Sequence, residues 1–192
     1  MADRLPDFLL AESPPTLAPA GEGAHACAGC GLAGGSPGDY LRLRATGATL
    51  CPVCALGPAA AWSPGRVRLL LAPELDQGRL NGLVTRLAVE LRRARAGEPV
   101  PAGVDAALLA DWLETLRRRA RATAAALPWA ADPARARRTL RALPAGPRAR
   151  LLAELSALRY LPDPDDPGLA GFFDRRRAVD PPPAVPDRTG PP

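Results

Sequence analysis

The sequence predicts an α+β fold in which a small four-cysteine module leads into a helical segment of three to four helices. Two patterns predict it: every cysteine lies among Gly and Pro turns within residues 25–65, and leucines then recur at helical spacing from Asp76 onward. Aromatic residues make up only 4% of the chain, so we expect Leu and Ala to pack between helices instead of a sandwich of β-branched strands.

Composition divides the 192 residues into four parts. Residues 1–24 are rich in Pro and Gly and predict a flexible N-terminal arm. Residues 25–72 are predicted to form the cysteine module with its short strands, and residues 73–177 a helical region packed on it. Residues 178–192 hold many prolines, which cannot continue regular hydrogen-bonded structure, and predict a disordered tail.

Two short strands are predicted inside the cysteine module. Residues 40–44 alternate apolar and polar side chains, and residues 66–71 form an apolar run that stops at Pro73. The 20 residues between the two cysteine pairs are long enough for a β-hairpin that returns the second pair to the first.

Helix starts in the following region are predicted from N-cap residues. The first helix begins at Asp76 and ends before Gly97, the second begins near Asp105 and ends before Pro128, and the third has Asp132 as its N-cap. In the first helix Leu80, Leu83, Val84, Leu87 and Leu91 fall on one face, which we expect to be buried. In the second helix the apolar stripe is Leu108, Leu109, Trp112, Leu113, Leu116 and Ala120.

A fourth helix is predicted after Pro147, extending to Pro162. Its leucines fall on one face: Leu151, Leu152, Leu155 and Leu158. The remainder, residues 163–177, is expected to form a turn with an apolar anchor at Leu169, Phe172 and Phe173.

The cysteines have the spacing Cys27-x2-Cys30-x20-Cys51-x2-Cys54, which is typical of a four-thiolate zinc site. Two residues between cysteines let both sulfurs of a turn point to one centre, and the glycines of the first turn permit close backbone approach. The sequence therefore predicts one structural Zn²⁺ bound by these four residues. Coordination would replace the large core that a module of about 40 residues cannot build.

Iron binding and redox chemistry are the alternatives for these cysteines. A redox Cys-x-x-Cys pair usually occurs once, at the start of a helix in a thioredoxin-like βαβ unit that the sequence does not indicate. The spacing also gives no support for an iron–sulfur cluster. The single histidine, His25, precedes Cys27 by two residues and is interpreted as a solvated side chain.

The sequence predicts no enzymatic activity. A catalytic zinc needs an open coordination position, which four cysteines close. One histidine cannot supply a Ser/His/Asp set together with a metal site, and the chain has neither a Gly-x-Ser-x-Gly elbow nor a phosphate-binding loop. An acidic cluster at Asp163, Asp165 and Asp166 lies among prolines and is expected to form a turn.

Apolar patterning predicts a cytoplasmic protein without direct membrane insertion. The chain has no run of about 18 apolar residues, and its N-terminus lacks the basic start and apolar run of a signal peptide. In a reducing compartment four cysteines are more readily metal ligands than disulfides.

After the predicted strand at residues 66–71 the chain carries Pro73, Glu74, Leu75, Gln77, Leu80, Asn81, Leu83 and Arg86. This segment resembles the IcmJ/DotN family of type IVB secretion and related conjugation systems. In that family a paired-cysteine module leads into a strand and a Leu-Pro-Glu-Leu-Ser-Gln segment followed by Leu-Asn, Leu and Arg. The order of parts also fits over residues 25–175, including a late Leu-Arg-x-Leu-Pro sequence at residues 158–162 and the Phe pair at 172–173.

The resemblance implies an HNH-like zinc fold, with a treble-clef or ββα-metal core, but no nuclease activity. HNH chemistry uses a His as general base, and residues 31–50 contain none. What the family implies instead is a non-enzymatic adaptor subunit of a coupling complex. Such a subunit binds the coupling ATPase and helps recruit secretion or conjugation substrates, at the cytoplasmic face of the inner membrane.

Large aromatic residues are the natural anchors for such a partner, because they dominate interface energies. The candidates are Trp62, Trp112, Trp129, Phe172 and Phe173. Trp112 lies on the apolar stripe of the second helix, so we expect it in the core instead. Trp62 and Trp129 lie in Pro-flanked loops and fit internal packing or docking equally well.

A nucleic-acid-binding zinc module is the main alternative function. Phosphate contacts would come from Arg42, Arg44, Arg66 and Arg68, with a second stripe at residues 117–121. The net charge of +5 supports this weakly, because all 25 basic residues are Arg, spread along a chain without Lys or Ile, as in GC-rich coding. A metal-dependent nuclease is a third hypothesis, weakened by the missing His.

Overall fold

The structure is a computed structural model that describes residues 9–23, 25–36, 38–59, 62 and 65–179. Over these residues the fold is α+β, as predicted, with six α-helices and two small antiparallel sheets. The strands are β1 Leu17–Pro19, β2 Leu41–Leu43, β3 Thr49–Leu50, β4 Val67–Leu71 and β5 Leu158–Pro162. The helices are α1 Pro52–Ala59, α2 Gln77–Arg95, α3 Ala106–Ala126, α4 Pro133–Ala142, α5 Ala145–Glu154 and α6 Pro167–Val179.

The first sheet has the order β1-β2-β3. Strands β2 and β3 form the predicted hairpin, with Leu41 opposite Leu50, and it leads directly into Cys51. Strand β1 corrects the prediction of a flexible arm over residues 1–24. It pairs with β2 from Leu17 opposite Leu43, because edge pairing supplies the hydrogen bonds that a Pro-rich segment cannot make within itself. Residues 1–8 of the predicted arm lie outside the described residues.

The second sheet pairs β4 with β5, from Val67 opposite Pro162 to Leu71 opposite Leu158. The predicted fourth helix is therefore wrong at both ends: α5 begins at Ala145 and ends at Glu154, and a 3-10 turn leads into β5. Proline 147 fits within the first turn of α5, where backbone N–H groups have no intrahelical acceptor. Pairing with β4 over five residues satisfies the backbone of β5 and overrides the helical leucine spacing.

Local capping explains why three helix starts were predicted correctly. The carboxylates of Asp76, Asp105 and Asp132 accept hydrogen bonds at 2.7, 2.8 and 2.8 Å from the backbone N–H three residues on. Those three residues precede α2, α3 and α4.

Helix α6 was predicted as a turn. It begins at Pro167 after Asp166, whose carboxylate accepts from Gly168 N at 2.8 Å, and it extends to Val179. Leu169, Phe172 and Phe173 are buried on it, so the apolar anchor exists but is helical. Residues 77–179 thus hold five α-helices, against three to four predicted. Residues 180–192 of the predicted disordered tail lie outside the described residues.

Two clusters of buried side chains position the cysteines. The larger cluster joins three cysteines to Tyr160 of β5 and to the Phe pair of α6. A second cluster, with Leu70, Leu80 and Leu161, lies between the β4–β5 sheet and helices α2 and α3. The cysteine module is therefore continuous with the helical core.

Trp112 contradicts the prediction from helical spacing: its residue surface is 44% exposed, whereas its helix neighbours Leu109 and Leu113 are buried against α2. Fewer residues of α3 are buried than the apolar pattern of its sequence predicts. No helix in the described ranges is long and apolar enough to cross a membrane.

Candidate metal centre

The first cysteine pair lies in a tight turn closed by a bridge between Ala26 and Ala33. Cys27 N donates to Leu32 O at 2.8 Å, and Gly31 N donates to Cys27 O at 2.8 Å. Gly31 has φ +74°, a left-handed conformation that side chains disfavour. The turn aims both sulfurs to one side, as the spacing predicts.

The second pair straddles the end of the hairpin and the start of a helix. Cys51 follows β3 directly, and Cys54 lies in the first turn of α1. This helix differs from the expectation that Gly and Pro turns surround the cysteines over residues 25–65. Proline at the first helical position is favourable, since its missing N–H needs no partner. Ala28 N donates to Thr49 O at 2.8 Å and ties the cysteine turn to the hairpin.

The four sulfur atoms all lie within 4.8 Å of one another, so the four predicted residues come together and could hold one metal ion. Cys30 Sγ and Cys51 Sγ are 3.8 Å apart. Tetrahedral coordination with Zn–S bonds of about 2.3 Å requires sulfurs about 3.8 Å apart, which is the separation of this pair. All four thiols are free of disulfides, and Cys27, Cys51 and Cys54 are buried.

Two N–H groups point at these sulfurs. Cys51 N donates to Cys27 Sγ at 3.3 Å, and Asn81 Nδ2 donates to Cys54 Sγ at 3.2 Å. Donors to sulfur stabilise the thiolate form that binds metal ions. The same bonds fix the direction of each sulfur.

Each of the four thiols affects the ionisation of the others. Hydrogen bonding from Cys30 lowers the pKa of Cys27, whereas hydrogen bonding with Cys27 raises the pKa of Cys51 and of Cys54. Four thiolates this close would repel one another, so a dication at their centre is what lets all four ionise together.

A buried polar network continues outward from Cys54. Asn81 Nδ2 also donates to the Tyr160 hydroxyl at 2.8 Å, and that hydroxyl donates to Cys54 O at 3.2 Å. Burial raises the pKa of Tyr160 well above its usual value, which keeps the hydroxyl protonated and able to donate. Helix α2 and strand β5 are thereby both joined to the cysteine site.

Gln77 completes the network at the first turn of α2. Its side-chain amide accepts from Tyr160 N at 2.9 Å and donates to Tyr160 O at 2.8 Å. These are the two backbone hydrogen bonds that a residue of a neighbouring strand would make. It also donates to Asn81 Oδ1 at 2.9 Å. Gln77 and Asn81 are the only Gln and Asn in the chain, and that rarity is the signal by which sequence reasoning could have found their role.

Glycines allow the elements around the site to approach closely. A Cβ on Gly29 would lie 2.9 Å from Cys54 Sγ, and one on Gly78 would overlap the Gly29 carbonyl oxygen. A Cβ on Gly57 in α1 would overlap the Tyr160 ring. The position of the cysteine turn against α1 and α2 depends on these three missing side chains.

An open groove of about 530 Å³ lies where the cysteine turn meets α2. Its lining residues are Gly29, Cys30, Asp76, Gly78, Arg79, Gly82, Leu83 and Arg86. Leu83 is 40% exposed there, which contradicts its predicted place on the buried face of α2, because this edge of the helix borders the open groove. We call this feature the α2 groove.

Other candidate residues lie away from the sulfurs. His25 is half-buried, its Nε2 is 3.0 Å from Gly21 O and its ring packs 5.6 Å from that of Tyr40, so it is held more firmly than the predicted solvated side chain. The acidic cluster forms the expected turn, in which Asp165 N donates to Asp163 Oδ1 at 3.0 Å. Asp166 pairs with Arg66 at 2.6 Å.

The arginine stripe of α3 is matched by carboxylates. Arg117 pairs with the acidic turn, and Arg118 lies 3.8 Å from Asp111. The remaining pairs are Arg119 with Glu74 and Arg121 with Glu114. Each of these four guanidinium groups already has an anionic partner within the chain.

The predicted aromatic anchors divide into three groups. Phe172 and Phe173 are buried, and Trp112 is exposed. Trp62 and Trp129 are partly buried against the large core cluster, and the Arg137 guanidinium lies 3.8 Å above the Trp62 ring. Only Trp112 presents a large aromatic surface among the described residues.

The fold and the sulfur cluster together define an α+β protein with one four-cysteine site able to hold a single metal ion. No known protein family and no curated protein matches the chain.

Proposed function

We propose that the protein is a non-enzymatic, zinc-stabilised adaptor subunit of a type IV secretion or conjugation coupling complex, similar to the IcmJ/DotN family. In this role it binds the coupling ATPase and helps recruit substrates, and it reaches the inner membrane only through that complex. One observation carries the proposal: the segment that resembles the family has a buried side that supports the cysteines and an exposed side that the fold does not use.

Zinc is the ion that fits the cysteines best. Four thiolates within 4.8 Å of one another suit Zn²⁺, a borderline-soft ion without redox chemistry. The N–H donors to Cys27 and Cys54 are typical of structural zinc sites. All four positions around the ion would be taken by sulfur, which leaves none for substrate or water. The site then stabilises the fold and performs no chemistry.

The order of elements around the sulfurs supports an HNH-like, treble-clef arrangement. Two ligands come from a tight turn, the third follows the β2–β3 hairpin, and the fourth lies in the first turn of α1. This turn–hairpin–helix order is what the resemblance implies. The single His of the chain packs on Tyr40, which supports a role without nuclease chemistry.

The segment of residues 73–86 divides by burial. Gln77, Leu80 and Asn81 face inward. Leu80 packs in the core, and Gln77 and Asn81 belong to the hydrogen-bond network around the cysteines, so the fold itself explains these three residues. Arg79, Leu83 and Arg86 face outward into the α2 groove and make no contribution to the core. Outward residues within a resembling segment favour a binding role.

The α2 groove suits an amphipathic segment of a partner chain. Leu83 offers an apolar contact, and the small Gly78 and Gly82 let a partner backbone approach the helix. Arg86 at its side favours an acidic residue next to the partner's apolar ones, whereas Arg79 is paired with Asp76 at 3.2 Å. A cytoplasmic tail of the coupling ATPase is the occupant that the adaptor role requires.

The test is a pull-down of the tagged protein from its native cells, with zinc measured on the same sample. We expect the coupling ATPase to co-purify with about one zinc per chain. Leu83→Asp should abolish co-purification and leave the zinc content unchanged. Leu71→Asp is the matched control, since Leu71 is 43% exposed and lies outside the groove, and it should retain the ATPase. Equal retention by both variants would refute the groove, and absence of the ATPase from the unmodified sample would refute the adaptor role.

The nucleic-acid module built on the cysteine region and α3 has less support. Arg66 is paired with Asp166, and the α3 arginines are paired as described above. Within the described residues Arg42, Arg44 and Arg68 have no ion pair, but three separate charges make a weak phosphate site.

A further inference from the structure

The net positive charge of the protein is concentrated in one short segment. Residues 133–153, which cover α4 and nearly all of α5, contain six arginines and no Asp or Glu. The whole chain carries +5, so everything outside this segment is slightly acidic. We call this segment the basic segment.

Five of the six arginines are available on its surface. Arg135, Arg138 and Arg141 are exposed at successive three-residue steps along α4, and they lie opposite the buried Ala136 and Leu140. In α5, Arg150 is exposed and Arg148 is half-buried. No ion pair joins any of the five to a carboxylate within the described ranges.

The sixth arginine has an internal role. Arg137 stacks on the Trp62 ring and donates to Ala11 O at 3.0 Å, so it fastens α4 to the rest of the fold. This contact and the buried side of α4 hold Arg135, Arg138 and Arg141 on a fixed surface. These three charges therefore cost no ordering of the helix when a ligand binds.

The arginines of α3 provide an internal contrast. They occur at similar density, but each has a carboxylate partner, as expected for a solvated surface that has no external ligand. The basic segment lacks such partners over 21 residues. Unpaired like charges repel one another, so their concentration calls for an external polyanion.

We propose that the basic segment binds the phosphate backbone of duplex nucleic acid. Guanidinium groups match phosphate oxygens in a forked geometry, and a backbone site needs regularly placed charges and no apolar anchor. The large exposed apolar residues of the described chain, Leu71, Leu83, Trp112 and Val179, all lie outside the segment. A protein partner or a membrane would need such an anchor, and a single strand would need aromatic stacking. The inference is independent of the adaptor role.

The test measures binding of the full-length zinc-loaded protein to a short fluorescein-labelled DNA duplex by anisotropy. The affinity should fall steeply between about 50 and 200 mM salt, with a log–log slope near −4 to −5 if all five arginines contact phosphate. The triple variant Arg135→Gln, Arg138→Gln, Arg141→Gln should weaken binding about tenfold or more and reduce the slope by about 2 to 3.

The matched control removes the same charge from α3: Arg118→Gln, Arg119→Gln, Arg121→Gln. Its affinity and slope should stay close to those of the unmodified protein, and circular dichroism with zinc content checks that both variants fold. Equal weakening by the two triple variants would show a general charge effect and overturn the proposal, as would no binding at about 50 mM salt. Tighter binding to poly-glutamate or to phosphatidylcholine–phosphatidylglycerol vesicles than to the duplex would also overturn it, in favour of a protein or a membrane.

Discussion

The surroundings of the cysteines and the basic segment use polar side chains in opposite ways. Around Cys54 the amides of Gln77 and Asn81 and the hydroxyl of Tyr160 are buried and hydrogen-bonded to one another. On α4 and α5 the outer guanidinium groups face solvent, without a carboxylate partner in the described residues. Stability should depend on the first region and binding on the second, because buried unsatisfied groups are costly and exposed charges are not.

The largest effect is expected from loss of a sulfur ligand. Cys54→Ser should abolish stoichiometric zinc binding and unfold the cysteine module, since structural zinc sites in small modules contribute on the order of 10 kcal/mol. Zinc analysis and thermal unfolding by circular dichroism measure the two results. Chelation of the unmodified protein should reproduce them. A variant that keeps zinc and its unfolding temperature would show that Cys54 is not a ligand of that zinc.

Asn81 should be next in size. Asn81→Ala removes the donor to Cys54 Sγ and to the Tyr160 hydroxyl, at a cost of about 1–3 kcal/mol, and should weaken zinc affinity about 10- to 100-fold. Urea unfolding and competition with a chelating dye are the measurements. Arg79→Ala, at an exposed position on the same helix, is the control and should change neither. An unaffected zinc affinity in the Asn81 variant would show that the network does not contribute to metal binding.

A single added methyl group tests the packing of α1 on β5. Gly57→Ala places a carbon in steric overlap with Cε1 and Cζ of Tyr160. The overpacking should lower the free energy of unfolding by about 1–2 kcal/mol after the gain in helix propensity. Gly82→Ala in α2 has open space at its Cβ and should instead stabilise by about 0.5–1 kcal/mol. Urea unfolding should therefore give a lower free energy of unfolding for Gly57→Ala and a higher one for Gly82→Ala. A stabilised Gly57 variant would mean that Tyr160 is less firmly held than the network implies.

The smallest effect is expected from the basic segment. Replacing Arg135, Arg138 and Arg141 by Gln should change the free energy of unfolding by less than about 0.5 kcal/mol per residue, while the affinity for duplex DNA falls. Urea unfolding of the triple variant measures the first quantity. A loss of several kcal/mol would assign these arginines a structural role and remove the contrast between the two regions.

Predictions from the sequence succeeded where the determining contacts are local. Asp76 and Asp132 are predicted as N-caps, and the second helix is predicted to begin near Asp105. Each of these three carboxylates accepts from an N–H three residues away. The four sulfur positions followed from spacing for the same reason. Strand β5 was mistaken for helix because its partner β4 lies about 90 residues earlier, and leucine spacing alone fits either structure.

Features that depend on distant pairing stayed beyond the sequence. The roles of Gln77 and Asn81 rest on Tyr160, which follows them by about 80 residues. Charge was partly accessible, because the sequence itself shows that residues 133–153 contain no Asp or Glu. The pairing of the α3 arginines with Glu74, Asp163 and Asp165 depends on the fold. Trp112 was assigned to the core because periodicity indicates a helical face without indicating how much of it is covered.

The pairing of β4 with β5 sets an order of events during synthesis. Cys54, the last of the four ligands, precedes β5 by about 100 residues, so metal can be captured before that strand is synthesised. Strand β4 must then wait, with one edge open, until Leu158–Pro162 emerges. Only then does Tyr160 reach Asn81 and close the last contact over Cys54. Contacts of such long range form slowly, which makes the chain most prone to aggregation in the interval between metal capture and completion of that sheet.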